Sequence, residues 1–223
     1  MNKFFPILGV FLAIFSSVDL VAEEWYNGDF YTPDFEKVSV SQDRFVEDRI
    51  SIEFMAGGVY APIGIGPSHD TFTYSLTNIR LNWMLNTPSG NGFFLDGNFE
   101  AIIELSASYI FTSWGNVIVG PTGLVRYNFV QPGWKVVPYI QAGAGVVYTD
   151  AHEDPTQDEI GQAIEFTPQA SVGLKFLADE DWSINTELIF HHISNASLSP
   201  QNDGTNALGG MVGFTYYFDK LWK

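Results

Sequence analysis

From Ile50 onward, apolar residues occupy every second position over a series of segments. This period of two predicts β-strands with two chemically different faces. The segment that begins at Phe93 shows the pattern best: its apolar face holds Phe93, Leu95, Gly97, Phe99, Ala101, Ile103 and Leu105, and its polar face holds Asp96, Asn98, Glu100, Glu104 and Ser106. A sheet that faces water does not need so long an apolar stripe. We therefore interpret the apolar faces as lipid-facing.

Seven more segments share the pattern, and they bring the number of predicted strands to eight: 50–60, 71–85, 116–129, 136–149, 164–177, 182–194 and 207–218. The connections at 86–92, 130–135 and 178–181 are short, whereas those at 61–70, 150–163 and 195–206 are longer, with a further one at 109–115. Short turns at one rim and longer loops at the other are typical of outer-membrane barrels with both termini on the periplasmic side. The sequence thus predicts an all-β fold, an eight-stranded antiparallel transmembrane β-barrel in the bacterial outer membrane.

Charged residues on the polar faces would point into such a barrel. These are Glu53, Arg80, Glu100, Glu104, Arg126, Lys175 and Glu187. An eight-stranded barrel has room for side chains and little else, so four acids and three bases can pair inside it. We expect a structural core network rather than a channel or a catalytic lumen. Segment 136–149 is apolar or glycine on both faces and permits no orientation to be assigned.

The chain begins as secretory signal peptides do. Lys3 precedes an apolar stretch from Phe4 to Phe15 and a small, more polar segment that ends near Ala22. The predicted organisation is a signal peptide over 1–22, an N-terminal periplasmic extension or plug over 23–48, the barrel over 49–218 and a short tail over 219–223. An extra strand is a further interpretation of 24–48, and the sequence does not decide between an extension, a plug and a strand.

The amino-acid composition excludes several kinds of chemistry and partner. The 223 residues include no cysteine, which excludes disulfides, thiol catalysis and thiolate metal sites. A formal net charge of -16 argues against a nucleic-acid partner. Aromatic residues make up 16% of the chain and charged residues also only 16%, so much of the surface faces something other than water.

One polar pair breaks an apolar face. Outward positions of segment 182–194 carry Trp182, Ile184, Leu188 and Phe190, and the same parity then reaches His192 and Ser194. Side chains at i and i+2 of a strand lie on one side, with Cβ atoms roughly 6–7 Å apart. An imidazole within hydrogen-bond reach of a serine hydroxyl is the arrangement that activates a nucleophile. The alternative is a polar pair that merely marks the membrane interface.

The other histidines and an acidic loop have simpler interpretations. The parity of His191 turns it inward, and His69 and His152 fall in predicted outer loops, where solvation explains them. The loop between the fifth and sixth strands carries Asp150, Glu153, Asp154, Asp158 and Glu159. These acids could hold a divalent cation that bridges to lipid phosphates, since hard cations prefer oxygen ligands, or they could form only a solvated loop.

The residues around the polar pair resemble a known family signature. Residues 190–198 read FHHISNASL and are followed by Pro200, Asn202, Asp203 and Gly204. This string resembles the C-terminal signature of the lipid A 3-O-deacylase family of outer-membrane acyl hydrolases, an H-x-S-N-A followed after a short loop by Asn and Gly. The rest of the chain agrees with that family in architecture only.

The resemblance implies an outer-membrane serine esterase that removes an ester-linked acyl chain, at the 3-position, from lipid A of lipopolysaccharide. Ser194 would be the nucleophile and His192 its general base. Asn195 and Asn202 lie beside the pair and are candidate amide donors to an oxyanion. No cofactor and no metal are implied, the partners are lipid A and outer-membrane lipid, and a homodimer is compatible with the sequence.

One position departs from the family pattern. Twelve residues after the serine, where the family has a glutamate, this chain has Asn206. Asn206 keeps the outward parity and could orient the imidazole, as the amide does in a Cys-His-Asn triad. Asp203 is the nearest alternative acid. Because a neutral amide stabilises an imidazolium less well, we expect a slower enzyme, or else a non-catalytic outer-membrane barrel with a structural or surface-interaction role. A pore is disfavoured by the crowded interior.

Overall fold

A computed structural model describes residues 43–63, 71–91, 93–112 and 114–218. Within them the chain forms strands β1 (Ile50–Ala61), β2 (Phe72–Met84), β3 (Gly97–Tyr109), β4 (Val117–Phe129), β5 (Val136–Thr149), β6 (Ile164–Phe166), β7 (Gln169–Leu177), β8 (Trp182–Ile193) and β9 (Thr205–Tyr217). The predicted signal peptide 1–22, most of the predicted segment 23–48 and the tail 219–223 lie outside the described residues. In the described part of the chain, no helix has the length and apolar character needed to cross a bilayer.

The strands close into a barrel. Each pairs antiparallel with its neighbours, the first and last strands of the chain pair as β1–β9, and the further pairing β4–β5 closes the sheet. Strands β6 and β7 both pair with β5 and act as one barrel strand, interrupted where Pro168 has no N–H to donate. The predicted eight-stranded antiparallel β-barrel is therefore confirmed. Following the predicted topology, we call the end that holds residues 43–49 and 218 the periplasmic end and the opposite end the outer end.

Side chains alternate between the two surfaces as the sequence predicts. In β2, Arg80 and Asn82 are buried, whereas Leu81 and Trp83 are about half exposed at 50% and 52%. The structure also orients β5, which the sequence could not: Tyr139 and Gln141 point inward and Ile140 outward.

The turn between β2 and β3 is longer than predicted. Strand β3 begins at Gly97, so Phe93 lies in the turn and not on the strand. The Asp96 carboxylate accepts hydrogen bonds from the backbone N–H groups of Ser89 (3.0 Å) and Gly90 (2.7 Å), which folds the chain back on itself. Burial acts to raise the pKa of Asp96, but these N–H groups hold it below its usual value.

A buried ion network fills the middle of the barrel. Arg80 contacts Glu53 (2.6 Å), Glu104 (2.6 Å) and Glu187 (2.8 Å). A second set joins the first: Arg126 contacts Glu53 (2.8 Å) and Glu100 (3.3 Å), and Lys175 contacts Glu100 (3.2 Å). All seven residues predicted to point inward are buried and belong to this network. The prediction of a structural core is confirmed.

Apolar layers cover the network on both sides. The outer layer includes Phe72, Tyr74 and Trp114. The periplasmic layer includes Phe45, from a 3₁₀ turn over Asp43–Phe45, and Phe45 packs edge-on against Tyr217. Side chains therefore fill the barrel at mid-depth and towards both ends.

We expect Arg80→Met to destabilise the barrel, because it leaves three buried carboxylates without their shared cation. Breaking a buried ion pair costs about 3–5 kcal/mol. Lys135→Met removes a cation from an exposed turn position and should change stability by no more than about 0.5 kcal/mol. Urea unfolding in lipid vesicles, followed by tryptophan fluorescence, measures both. Equal stability of the two variants would show that the network does not hold the barrel together.

Candidate active site

Three outward-facing residues form a hydrogen-bonded chain at the outer end of the barrel. The Nε2 of His192 lies 2.8 Å from the Oγ of Ser194. The Nδ1 of the same ring lies 2.7 Å from the Oδ1 of Asn206. All three side chains are partly exposed on the face that the apolar stripes define as lipid-facing.

The chemistry of the partners fixes the tautomer of the imidazole. The Oδ1 of Asn206 can only accept, so the Nδ1 of His192 carries the proton. Nε2 is then an acceptor, and the Ser194 hydroxyl donates a hydrogen bond to it. This is the protonation state in which a histidine can act as a general base toward a serine.

Strand register brings the three residues together. His192 is the last outward residue of β8, and Asn206 lies directly opposite it on β9. On the other side, Ser194 forms an isolated bridge with Phe166 of β6, through Phe166 N–H to Ser194 O (2.8 Å) and Ser194 N–H to Phe166 O (3.1 Å). The nucleophile candidate therefore follows β8 directly, and its backbone is paired with β6.

The structure corrects one oxyanion candidate. Strand parity turns Asn195 inward, where it is fully buried. Its Nδ2 donates to the backbone oxygen of Gln201 (2.8 Å), and its Oδ1 accepts from Ser199 N–H (3.4 Å). The side-chain amide of Asn195 is therefore committed to the loop and faces away from the outward hydroxyl of Ser194. The prediction that this amide stabilises an oxyanion is wrong.

The loop residues Asn202 and Asp203 differ in their contacts with the triad and its surroundings. The Oδ1 of Asn202 accepts from the backbone N–H of Asn195 (2.7 Å), which ties the loop end beside Ser194 and leaves Nδ2 as the donor end of the amide. Asp203 was the alternative group to orient the imidazole. The Oδ1 of Asn206 is the hydrogen-bond partner of the His192 Nδ1 instead, so Asp203 is not the group that orients the imidazole.

Gly204 is the residue whose smallness the site requires. Its φ is +68°, in the region that side chains rarely adopt. A Cβ built on it would lie 2.8 Å from the backbone oxygen of Ile193, 3.2 Å from the Ser194 Cβ and 3.3 Å from the His192 Cε1. The family signature includes this glycine, but sequence pattern alone gives no reason for it.

Of the other histidines predicted as candidates, two have hydrogen-bond partners outside the triad. His191 is buried, as its parity predicts, and its Nδ1 lies 2.6 Å from the Tyr74 hydroxyl. His152 contacts the backbone oxygen of Thr149 (3.0 Å) through Nδ1, and His69 lies outside the described residues.

The acidic loop is held by its own hydrogen bonds. Over the described residues, no three His, Asp or Glu side chains are grouped closely enough to hold a metal ion. The Asp150 carboxylate accepts from the N–H groups of Asn116 (2.7 Å) and Val117 (2.9 Å). Burial acts to raise the pKa of Asp150, but these donors keep it below its usual value. The role of Asp150 in this structure is to join two outer loops.

Sequence reasoning missed Glu165. This residue of β6 points into the barrel and is fully buried, one residue from the strand partner of Ser194. Its inward parity beside Ile164 and Phe166 was the available signal.

Comparisons with known proteins give a family match and two similar folds. The family model for lipid A 3-O-deacylase (PagL) matches residues 71–215. Among curated protein sequences, none is significantly similar to this chain. The solved structure of the outer membrane enzyme PagL is 18% identical, with 73% of this chain and 97% of that chain covered and a TM-score of 0.53. Neisserial surface protein A is 8% identical, with coverages of 76% and 97% and a TM-score of 0.51. At these identities the two structures show the shared fold.

We expect Gly204→Ala to reduce the reactivity of Ser194 toward a fluorophosphonate probe, because the new methyl group would press on His192 and Ser194. Gly133→Ala is the matched control: its φ is +77° and nothing lies within 4 Å of the new Cβ. Both variants should lose roughly 1–2 kcal/mol of stability for a left-handed alanine, and Gly204→Ala should lose more because its Cβ would lie 2.8 Å from the backbone oxygen of Ile193. Only Gly204→Ala should lose labelling, as measured by mass spectrometry. Equal labelling of both would mean that Gly204 does not shape the site.

Proposed function

The chain belongs to the lipid A 3-O-deacylase (PagL) family, and on that premise we propose that it cleaves the ester-linked acyl chain at the 3-position of lipid A with Ser194 as the nucleophile. It is a lipid A deacylase of the bacterial outer membrane. The observation that supports serine dependence is the relay from Asn206 through His192 to Ser194, with donor–acceptor distances of 2.7 and 2.8 Å.

In the proposed acylation step, the Ser194 Oγ attacks the ester carbonyl carbon while the His192 Nε2 takes its proton. The carbonyl oxygen becomes an oxyanion. As the C–O bond to the sugar breaks, His192 returns the proton to the departing sugar oxygen, which leaves as a hydroxyl. The product is lipid A that lacks one acyl chain, and the acyl chain stays esterified to Ser194.

Deacylation reverses the roles of the same groups. His192 removes a proton from water, the resulting hydroxide attacks the acyl-Ser194 ester, and the proton passes to the Ser194 oxygen. A free fatty acid departs and the hydroxyl is restored. Each step uses the Nδ1–H tautomer that Asn206 holds in place.

The oxyanion needs hydrogen-bond donors, each of which is worth about 2.7–4 kcal/mol when preorganised. We assign this role to the Nδ2 of Asn202, because the Oδ1 of the same amide is fixed by Asn195 N–H. The side chain of Asn202 is partly exposed, on the loop that follows Ser194.

The position of the site suits its substrate. The site lies at the outer end, on the lipid-facing surface, and lipid A occupies the outer leaflet of that membrane. The acyl ester can therefore reach Ser194 by lateral diffusion, without entry into the barrel. A polar group on this face costs stability, and a purely structural barrel has no reason to retain such a group.

We expect wild-type protein in the outer membrane of a host with 3-O-acylated lipid A to remove one acyl chain, and Ser194→Ala to remove none. Ser75→Ala is the matched control, since Ser75 is also a part-exposed serine on the outward face and it pairs with Tyr109. Lipid A masses report all three. If wild type leaves lipid A intact, the barrel is non-catalytic; if Ser194→Ala remains active, the nucleophile is another group.

We expect Asn206→Asp to raise kcat, because a carboxylate at the same position would stabilise the imidazolium that forms in both steps. A charged hydrogen bond exceeds a neutral one by about 1 kcal/mol, which corresponds to roughly a fivefold increase. Asn206→Leu should lower kcat, since it leaves Nδ1 without its acceptor. Measured rates that do not respond to either change would argue against a role for position 206.

A further inference from the structure

An open cavity adjoins the triad in the loop that continues from β8 past Ser194. Its volume is about 520 Å³, which lies within the range of roughly 300–1,000 Å³ for small-molecule sites. One wall includes Asn202, the amide that we propose as the oxyanion donor. The cavity and the reacting groups therefore lie side by side. Six residues of the loop line it: Ser197, Leu198, Ser199, Pro200, Asn202 and Asp203.

The loop that forms the cavity begins and ends at the triad. It starts directly after Ser194, and at its far end a Cβ built on Gly204 would lie 3.2 Å from the Ser194 Cβ. Asn195 ties the two ends together. Its backbone N–H donates to the Oδ1 of Asn202 (2.7 Å), and its Nδ2 donates to the backbone oxygen of Gln201 (2.8 Å). These bonds hold the cavity in place relative to the hydroxyl of Ser194.

A strained turn carries two of the lining side chains. Ala196 and Ser197 have φ values of +53° and +67°, and Leu198 N–H donates to Asn195 O (3.1 Å), which closes the turn. Left-handed backbone is unfavourable for residues other than glycine, and such strain is concentrated at functional sites. The turn leaves the side chain of Ser197 exposed and that of Leu198 70% exposed. Both side chains are therefore available to a molecule in the cavity.

The chemistry of the lining suits an uncharged sugar ring. The Ser197 hydroxyl can donate and accept hydrogen bonds, and the Asp203 carboxylate can accept them from sugar hydroxyls. Leu198 and Pro200 offer an apolar surface to the C–H face of a ring. None of the six lining residues is lysine, arginine or histidine, so the lining offers no cation to a phosphate group.

We propose that this cavity is the sugar subsite of the deacylase, in which Ser197 and Leu198 bind the sugar ring that carries the scissile ester. This inference rests on the proposed function. The leaving oxygen of that ester is bonded directly to a ring carbon, so the ring lies next to the carbonyl that Ser194 attacks. The acyl chain extends from the ester towards the membrane centre, and the ring lies on the opposite side, towards the outer end. The loop that lines the cavity occupies that side of Ser194.

The test compares two esters of the same acyl chain, hydrolysed by the full-length enzyme in detergent micelles: 3-O-acylated lipid A and a p-nitrophenyl ester, which has no sugar. Ser197→Ala and Leu198→Ala should each raise KM for lipid A about fivefold, because each removes one contact with the ring. The kcat for lipid A should stay within about twofold, since these contacts are the same in the bound substrate and in the transition state. For the p-nitrophenyl ester, kcat/KM should stay within about twofold of wild type.

Ala196→Gly is the matched control, because Ala196 belongs to the same strained turn but is not among the lining residues. It should leave KM for lipid A within about twofold of wild type. Wild-type KM for lipid A in both Ser197→Ala and Leu198→Ala would overturn the proposal. An equal loss on the two esters would overturn it as well, since the turn would then only support the loop that carries Asn202. A wild type that hydrolyses neither ester would instead contradict the proposed function itself.

Discussion

Seven charged side chains buried in a narrow barrel are the constraint on which the rest of the structure depends. Arg80 and Arg126 both contact Glu53, and the network satisfies its charges only if every contributing strand turns the same parity inward. A register slip of one residue would move these charges into lipid and the apolar stripes into the core. The interior thereby fixes which residues face the membrane. The outward placement of His192 on β8, and of Ser194 just after its end, follows from the inward placement of Glu187 on the same strand.

The proposed catalytic surface lies on the outer side of this wall. Three neighbouring strands supply it: β8 carries His192, β9 places Asn206 across from it, and the Phe166 bridge on β6 holds Ser194. The strands thus position the relay, while the following loop carries Asn202, the amide donor that we propose. A membrane-facing serine site suits an acyl hydrolase whose substrate is itself a component of the leaflet. The neutral Asn206 makes this relay weaker than one with a carboxylate, although it selects the same tautomer.

Sequence periodicity predicted much of this structure because parity is a local property of strands. It placed the strands, the ion network and the outward His192–Ser194 pair. The same alternation excludes Asn195, which lies one residue beyond Ser194 and so points inward. The prediction of Asn195 as an oxyanion donor relied instead on its position next to the pair in the sequence. Other features depend on contacts between distant segments. The Asp96 turn, the strained Gly204 and the burial of Glu165 beside the Phe166–Ser194 bridge required the structure, since each depends on residues that the pattern of one strand does not relate.

The central claim is that Ser194 carries the acyl chain between the two half-reactions. The most direct test is to mix the enzyme with 3-O-acylated lipid A, quench with acid within the first turnover and determine by mass spectrometry which peptide is acylated. We expect the mass of one fatty acyl chain on the peptide that contains Ser194, and its disappearance as free fatty acid accumulates. An acyl chain on a different residue, or fatty acid release with no acylated peptide at any time, would contradict the account.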